Sequence, residues 1–285
     1  MVAPVDRQGE WSKAFTYVWG GQSMVIRFSR FKEDFARDRL AASYRSTALP
    51  IPEVVELAWG GDCWYAITPF VQGVFLEDLD RHAFSEVLPS LLDALEAMQR
   101  APIGERAGSG PWDGTGQGAY RSWREYLIDV GSDRPERRIH GWREQMSRNP
   151  EAVAIFEAGL EALRAALPTI PDLHQLVHND LCHRNVFVAN RRITGIIDWG
   201  CSLYGDGLYD LARIVFWADP KRLDEQAVIT AARGRLGQEG DGFLDKIRAY
   251  KIHIGLDNMS YLAYLEPQRT EEMSRAGRRL EALIA

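Results

Sequence analysis

Cysteine is scarce in this chain: Cys63, Cys182 and Cys201 are the only three among 285 residues. Three thiols build no paired framework, which points to a reducing compartment, and the chain reads as cytoplasmic. Long apolar runs are also missing. None approaches the ~20 residues that span a bilayer, so no membrane partner is expected. The amino end, Met1-Val-Ala-Pro-Val-Asp6, has no basic flank followed by an apolar core, so no signal peptide is read there. Positive charge is not in excess: 34 Lys and Arg face 40 Asp and Glu, a formal charge of −6. That balance argues against a nucleic-acid binder held through phosphates and is compatible with a small cationic partner. Internal repeats and low-complexity tracts are absent. What remains is an ordinary globular composition, 46% apolar and 26% charged, long enough for one large domain or two modest ones.

The first part reads as strands. Ala14–Trp19 and Ser23–Phe28 flank Gly20-Gly21 as a hairpin, and Val54–Trp59 and Cys63–Thr68 flank Gly60-Gly61-Asp62 as a second. Between them, Phe31 to Ser46 is charged and helix-compatible. Pro69 breaks the strand pattern. From about Phe84 the period changes, with Val87, Leu88, Leu91, Leu92, Leu95 and Met98 three and four residues apart, the mark of an amphipathic helix. Residues 101–118, rich in Gly and Pro, read as a loop. Trp123–Val130, Glu151–Leu167, Asp241–Leu265 and Glu271–Ile284 read as helices. The pattern predicts a small β-rich half and a large helical half with a cleft between them. In the second half only the stretch from Val186 to Ile197 looks strand-like.

That stretch belongs to the most informative run, His178-Asn-Asp180-Leu-Cys-His-Arg-Asn185 through Ile196-Ile-Asp198-Trp199. A carboxylate and a carboxamide stand five residues apart in a polar loop. Two short apolar segments follow, joined by Ala189-Asn190-Arg191-Arg192, and the second ends in another carboxylate. A hairpin there brings Asn185 and Asp198 to one end of a ribbon. Phosphoryl transfer asks for this layout: one Asp to orient and deprotonate a hydroxyl, and an Asn and a second Asp to hold Mg²⁺ against nucleotide phosphates. A lone Asp before a strand is more often a turn or cap; the whole pattern is far more restrictive.

The run, together with Gly205-Asp206-Gly-Leu-Tyr-Asp210, resembles the signature of the aminoglycoside phosphotransferase family, whose members are built like protein kinases. Leu49-Pro-Ile-Pro-Glu-Val54, Gly118–Arg124, Phe216-Trp217 and Ile254-Gly-Leu-Asp257 are similar to stretches of the family's hygromycin branch. The resemblance covers most of the chain from about Gly9 on. It implies an α+β, protein-kinase-like bilobal fold, with a nucleotide-binding lobe over residues 1–70 and a catalytic and substrate-binding lobe over 71–285. It implies Asp180 as catalytic base, Asn185 and Asp198 as metal ligands, and ATP and Mg²⁺ as cofactors. Arg27 stands where family members usually carry a phosphate-contacting Lys, and its planar fork suits the same task. Its helix partner is taken as Asp38, with Glu33 and Asp34 competing. Gly9–Phe15 resembles the family's nucleotide-covering turn, with Ser12 a phosphate contact or only a polar residue leading into a strand. Thr68-Pro69-Phe70-Val71 falls at the interlobe hinge, so Thr68 and Phe70 are expected beside the nucleotide. The family usually carries a helix and strand ahead of the turn, so the first strand is in doubt.

For a polycationic acceptor the resemblance asks for carboxylates and aromatic walls. Asp206, Asp210, Trp199, Trp217, Asp257 and Tyr261 are the candidates; Asp210 is equally a helix cap, and Asp257 and Tyr261 share a helix face. His178 reads as a loop anchor, and His183 is a weaker catalytic candidate. Nothing near Cys182 or Cys201 marks a reactive thiol. The expected activity is phosphorylation of a hydroxyl on an aminoglycoside, hygromycin B on the evidence of the branch, by a monomer that confers resistance. The alternatives are a kinase of another small alcohol (a macrolide, choline, homoserine or a sugar) and a catalytically silent kinase-like binding protein.

Overall fold

A computed structural model of the chain describes residues 2–5, 8, 9, 11–104, 108–182, 184–236, 242–265 and 270–285. The amino-terminal part is an antiparallel sheet with a helix packed on it. Its strands are β1 (Val2–Pro4), β2 (Lys13–Trp19), β3 (Gln22–Ser29), β4 (Glu56–Gly60) and β5 (Cys63–Pro69), with α1 (Lys32–Ala41) between β3 and β4. Their order is β1-β2-β3-β5-β4. Both expected hairpins form, and Gly20, Gly21 and Gly61 take the positive φ that their turns require. Ahead of the turn lies the short strand β1, paired to β2 from Val2–Tyr17 to Pro4–Phe15.

The larger part begins with β6 (Val74–Phe75) and α2 (Arg81–Gln99), which is capped by Asp80 accepting from the N–H of Ala83. Val87, Leu91, Leu92, Leu95 and Met98 bury the face that the periodicity predicts. Pro89 sits inside this helix. There follow β7 (Ser109–Trp112), β8 (Gly118–Tyr120), α3 (Trp123–Ile128), α4 (Trp142–Met146), α5 (Pro150–Ala166), β9 (Gln175–Val177), β10 (Val186–Ala189), β11 (Arg192–Ile196), β12 (Leu203–Gly205), α6 (Leu208–Trp217), α7 (Glu225–Arg235), α8 (Phe243–Leu265) and α9 (Thr270–Ile284).

Residues 101–118 are therefore not all loop. β7, β8, β9 and β12 form a second small sheet, so the 186–197 hairpin is not the only strand-like part of this half. These strands are three or four residues long, and Gly and Pro in Ser109–Trp112 hide the alternation. The hairpin β10–β11 adds β6 as a third strand, with Phe75 packed on Phe187. Helix α6 lies against α8 in the main core, and Tyr209, Tyr250 and Trp123 are fully buried there. A second cluster joins Trp142, Phe156, Leu256, Met259 and Leu280 from α4, α5, α8 and α9. No helix among the described residues is long and apolar enough to cross a membrane.

Candidate active site

The loop between β9 and β10 carries Asp180 and is fixed from below by Asp210 at the start of α6. The two oxygens of Asp210 accept the backbone N–H groups of His178 (2.7 Å) and Asn179 (2.8 Å). Burial pushes this carboxyl's pKa up, and His178 and the two N–H groups pull against it. His178 is an anchor, as its place in the run suggests. Its Nδ1 accepts the N–H of Asp180 at 3.1 Å, so the proton sits on Nε2, which donates to the carbonyl of Ile197 at 2.9 Å. Burial keeps the ring neutral by lowering its pKa. Asn179, Arg184 and Asp198 all have left-handed backbone, with φ of 64°, 63° and 62°. Such backbone costs energy outside glycine and persists where neighbours hold it in place.

Asp180 and Asn185 meet across this loop. The Asn185 amide nitrogen donates to the Asp180 carbonyl at 2.7 Å and to its carboxylate at 2.9 Å. Both partners are oxygens, which fixes the amide orientation and leaves its oxygen as the atom a cation can use. Ile197 donates its N–H to the carbonyl of Asn185 at 2.9 Å, which ties the end of β11 to the loop. Asp198 follows, with half of its side chain exposed.

Opposite it stands Arg27 on β3. The Arg27 guanidinium is hydrogen-bonded to Asp38 on α1 and lies 3.9 Å from Asp198. Glu33 instead bonds the N–H of Gly114, and Asp34 pairs with Arg138 at 2.7 Å. The second oxygen of Asp38 accepts the N–H of Trp199 at 2.7 Å, so one carboxylate joins β3 to the loop after β11. Burial alone would lower the Arg27 pKa, but Asp38 and Asp198 outweigh it and the net shift is upward. Asp198 moves the other way from an ordinary carboxyl. Desolvation in the recessed cleft raises it to about 6, Arg27 opposes, and Asp38, Asp180 and Asp34 add to the rise.

Among the described residues no group of three or more His, Cys, Asp or Glu side chains is placed to hold a metal. One carboxylate and one amide oxygen fit Mg²⁺, which keeps waters and takes phosphate oxygens for the rest of its shell. Burial makes Cys182 a poor nucleophile by raising its thiol pKa, and Cys201, although exposed at the surface, is raised to about 12 by partial desolvation and by Asp180 and Asp198.

The other expected residues are spread more widely. Ser12 is half-buried ahead of β2, where Gln8 clamps the turn through the N–H (2.7 Å) and carbonyl (2.9 Å) of Ala14. Glu10, within the same turn, and His183 lie outside the described residues. Thr68 is buried on β5, while Phe70 is exposed and donates its N–H to the carbonyl of Ser23 at 3.0 Å. A base at this hinge therefore finds the Phe70 N–H already engaged.

Asp206 and Asp210 are wholly buried, so they support the site from behind instead of lining an acceptor pocket. Asp206 accepts the Tyr250 hydroxyl and the N–H of Leu208, at 2.8 and 2.9 Å. Trp199 is likewise core: its ring packs edge-on against His178, and its indole N–H donates to Ile196 at 3.2 Å. Trp217 is half-buried and, with Leu181, Cys182 and Ile214, lines a cavity of about 230 Å³. Asp257 and Tyr261 are partly exposed on α8, and Asp257 lies 3.6 Å from Arg137. Sequence reasoning passed over Arg213, a lone cation inside the apolar run Leu211–Trp217. It also passed over Arg37, which donates to the carbonyl of Gly200.

The model of a phosphotransferase enzyme family matches residues 8–245. Hygromycin-B 4-O-kinase of Escherichia coli is 31% identical over 254 residues, which cover 88% of this chain and 72% of that protein. The crystal structure of aminoglycoside phosphotransferase APH(4)-Ia aligns with a TM-score of 0.86 at 28% identity, covering 100% of this chain and 93% of that one. A thermostable mutant of it, in ternary complex with AMP-PNP and hygromycin B, aligns with the same TM-score, identity and coverage. Spectinomycin phosphotransferase APH(9)-Ia, at 14% identity and a TM-score of 0.62, covering 99% of this chain and 88% of its own, shares the fold alone.

Proposed function

The chain belongs to the phosphotransferase enzyme family, and from that premise we propose that it is an ATP- and Mg²⁺-dependent O-phosphotransferase acting on a hydroxyl of an aminoglycoside, hygromycin B first among them. The observation that carries the reading is the pair Asp180 and Asn185, bonded at 2.9 Å, facing Asp198 and Arg27 in one cleft. The acceptor assignment is supported by the 31% identical hygromycin-B kinase and by the AMP-PNP and hygromycin B complex. Resistance would follow if the added phosphate spoils the drug.

Asp180 accepts a hydrogen bond from the acceptor hydroxyl, aims its oxygen at the γ-phosphorus and takes the proton late. Asn185 keeps that carboxylate turned to the acceptor while its own amide oxygen and Asp198 would hold Mg²⁺, which neutralises phosphate charge when bound. Arg27 grips phosphate oxygens with its fork, and Asp38 holds the fork in place. Residues 1–70 serve as the nucleotide lobe and 71–285 as the catalytic and acceptor lobe. Phosphorylation of another small alcohol is the second reading. The burial of Asp206 and Asp210 favours it, since two carboxylates expected for a polycation do not reach the pocket.

A panel assay separates the two. Purified protein with Mg·ATP and each candidate acceptor is read by mass spectrometry. Hygromycin B should gain one phosphoryl group; turnover of a different alcohol with none of hygromycin B overturns the acceptor assignment.

A further inference from the structure

Helix α6 turns two polar side chains toward the catalytic loop. Asp210 holds the loop backbone, and Arg213, three residues on, shares its face. The Arg213 guanidinium lies beside the Tyr209 hydroxyl, and that oxygen lies 2.8 Å from Nδ1 of His253 on α8. A neighbouring cation favours turning the phenol's lone pairs toward Arg213 and its proton toward His253 Nδ1. The imidazole is neutral, its pKa lowered by burial to about 4, so its own proton sits on Nε2.

Three buried nitrogens in this linked set then have no hydrogen-bond partner among the described residues: Nε and Nη1 of Arg213 and Nε2 of His253. All three are donors. A buried donor left unmet costs about 1–3 kcal/mol, and more where it is charged. Native chains keep few such groups, and each asks for an explanation. Asp180 and Asp257 stand near enough to stabilise the cation and raise its pKa against the effect of burial, yet neither accepts from these nitrogens.

We infer that Arg213, with Tyr209 and His253 behind it, is an acceptor-binding residue that grips the neutral oxygens of the acceptor ring beside the hydroxyl presented to Asp180. A guanidinium repels ammonium groups, so the acceptor enters with its hydroxyl-bearing edge toward α6. Its amines are then turned toward the partly exposed Asp257. The nucleotide phosphates are not the ligand, because Arg27 meets them from β3 on the other side of the cleft. The inference rests on the phosphotransferase reading above and names which group selects the acceptor's orientation.

Steady-state kinetics on the full-length protein decide it, with hygromycin B as acceptor and Mg·ATP affinity measured on the same preparations. Arg213→Met keeps an unbranched stem and removes the donors. It should raise the acceptor KM by about tenfold or more, the worth of one or two charged hydrogen bonds. Mg·ATP affinity should stay within twofold. Arg213→Lys keeps the charge, loses the fork and should fall between. If Arg213→Met fails to bind Mg·ATP because it does not fold, Arg213→Lys is read by the same criterion. An unchanged acceptor KM in a variant that still binds nucleotide overturns the inference, as does weakened Mg·ATP affinity with the acceptor KM intact. Absence of any aminoglycoside turnover by the wild type overturns the underlying reading instead.

Discussion

Asp198 carries the main conflict between stability and chemistry at the scale of single residues. Its carboxyl pKa is raised to about 6 from an ordinary value near 4 by desolvation, with Asp38, Asp180 and Asp34 adding to it. A carboxyl with a raised folded-state pKa works against the fold once ionised. The fold is relieved as pH drops through about 6, and the effect vanishes below the unfolded value near 4. Half of the side chain meets water, so the burden is discounted to about 1 kcal/mol. Asp198→Asn should therefore melt higher than the wild type at pH 8, by about 2–4 °C, and the gap should close by pH 4. Thermal melts of the metal-free proteins across that range check it. A lower melting point for the variant at pH 8 would mean that Asp198 stabilises the fold through Arg27. Asp180, Asn185 and Asp198 were all legible as a set in the sequence, because the spacing of a loop followed by a hairpin fixes them. Arg213 and His253 were not. Each is one polar residue in a mostly apolar helix, and only the packing of α6 on α8 brings them to one hydroxyl.

Elements explain why the loop keeps its shape. α6 begins at Leu208, and Asp210 in its first turn accepts two N–H groups from the loop that carries Asp180. Asp210→Ala leaves both donors buried without an acceptor, a loss of about 2–5 kcal/mol. The melting point should drop by about 5 °C or more, and turnover should drop with it. Asp210→Asn, which keeps one oxygen, should lie between. Differential scanning calorimetry with an activity assay on the same samples tests this; an Asp210→Ala protein that melts like wild type removes Asp210 from the loop's support. The hairpins β2–β3 and β4–β5 and helix α2 were legible because turn glycines and a regular apolar period announce them locally. β7, β8, β9 and β12 were not, since three- or four-residue strands exist only through their partners. The short helix α4 and the weakly patterned α7 escaped for the same lack of a local signal.

In the whole molecule, α1 is the joint between the two lobes. Asp38 accepts from Trp199, Arg37 donates to Gly200, Glu33 accepts from Gly114 and Asp34 pairs with Arg138. Arg138 also lies over the ring of Phe31 at 4.0 Å and near Trp11 at 5.6 Å, so the segment after α3 reaches the turn ahead of β2. These contacts hold the part of the chain that carries Arg27 against the part that carries Asp180 and Asp198. The bilobal plan was legible from the change of period near residue 84. The contacts across the cleft were not, because they join residues 81 to 163 positions apart. The most direct test of the account is the turnover number of Asp180→Asn at saturating Mg·ATP and hygromycin B, beside its nucleotide affinity. A fall in kcat of about 10²–10⁴-fold with nucleotide affinity within a few-fold of wild type is the predicted result. A kcat within a few-fold of wild type would contradict it, since phosphoryl transfer would then proceed without the group placed to receive the proton.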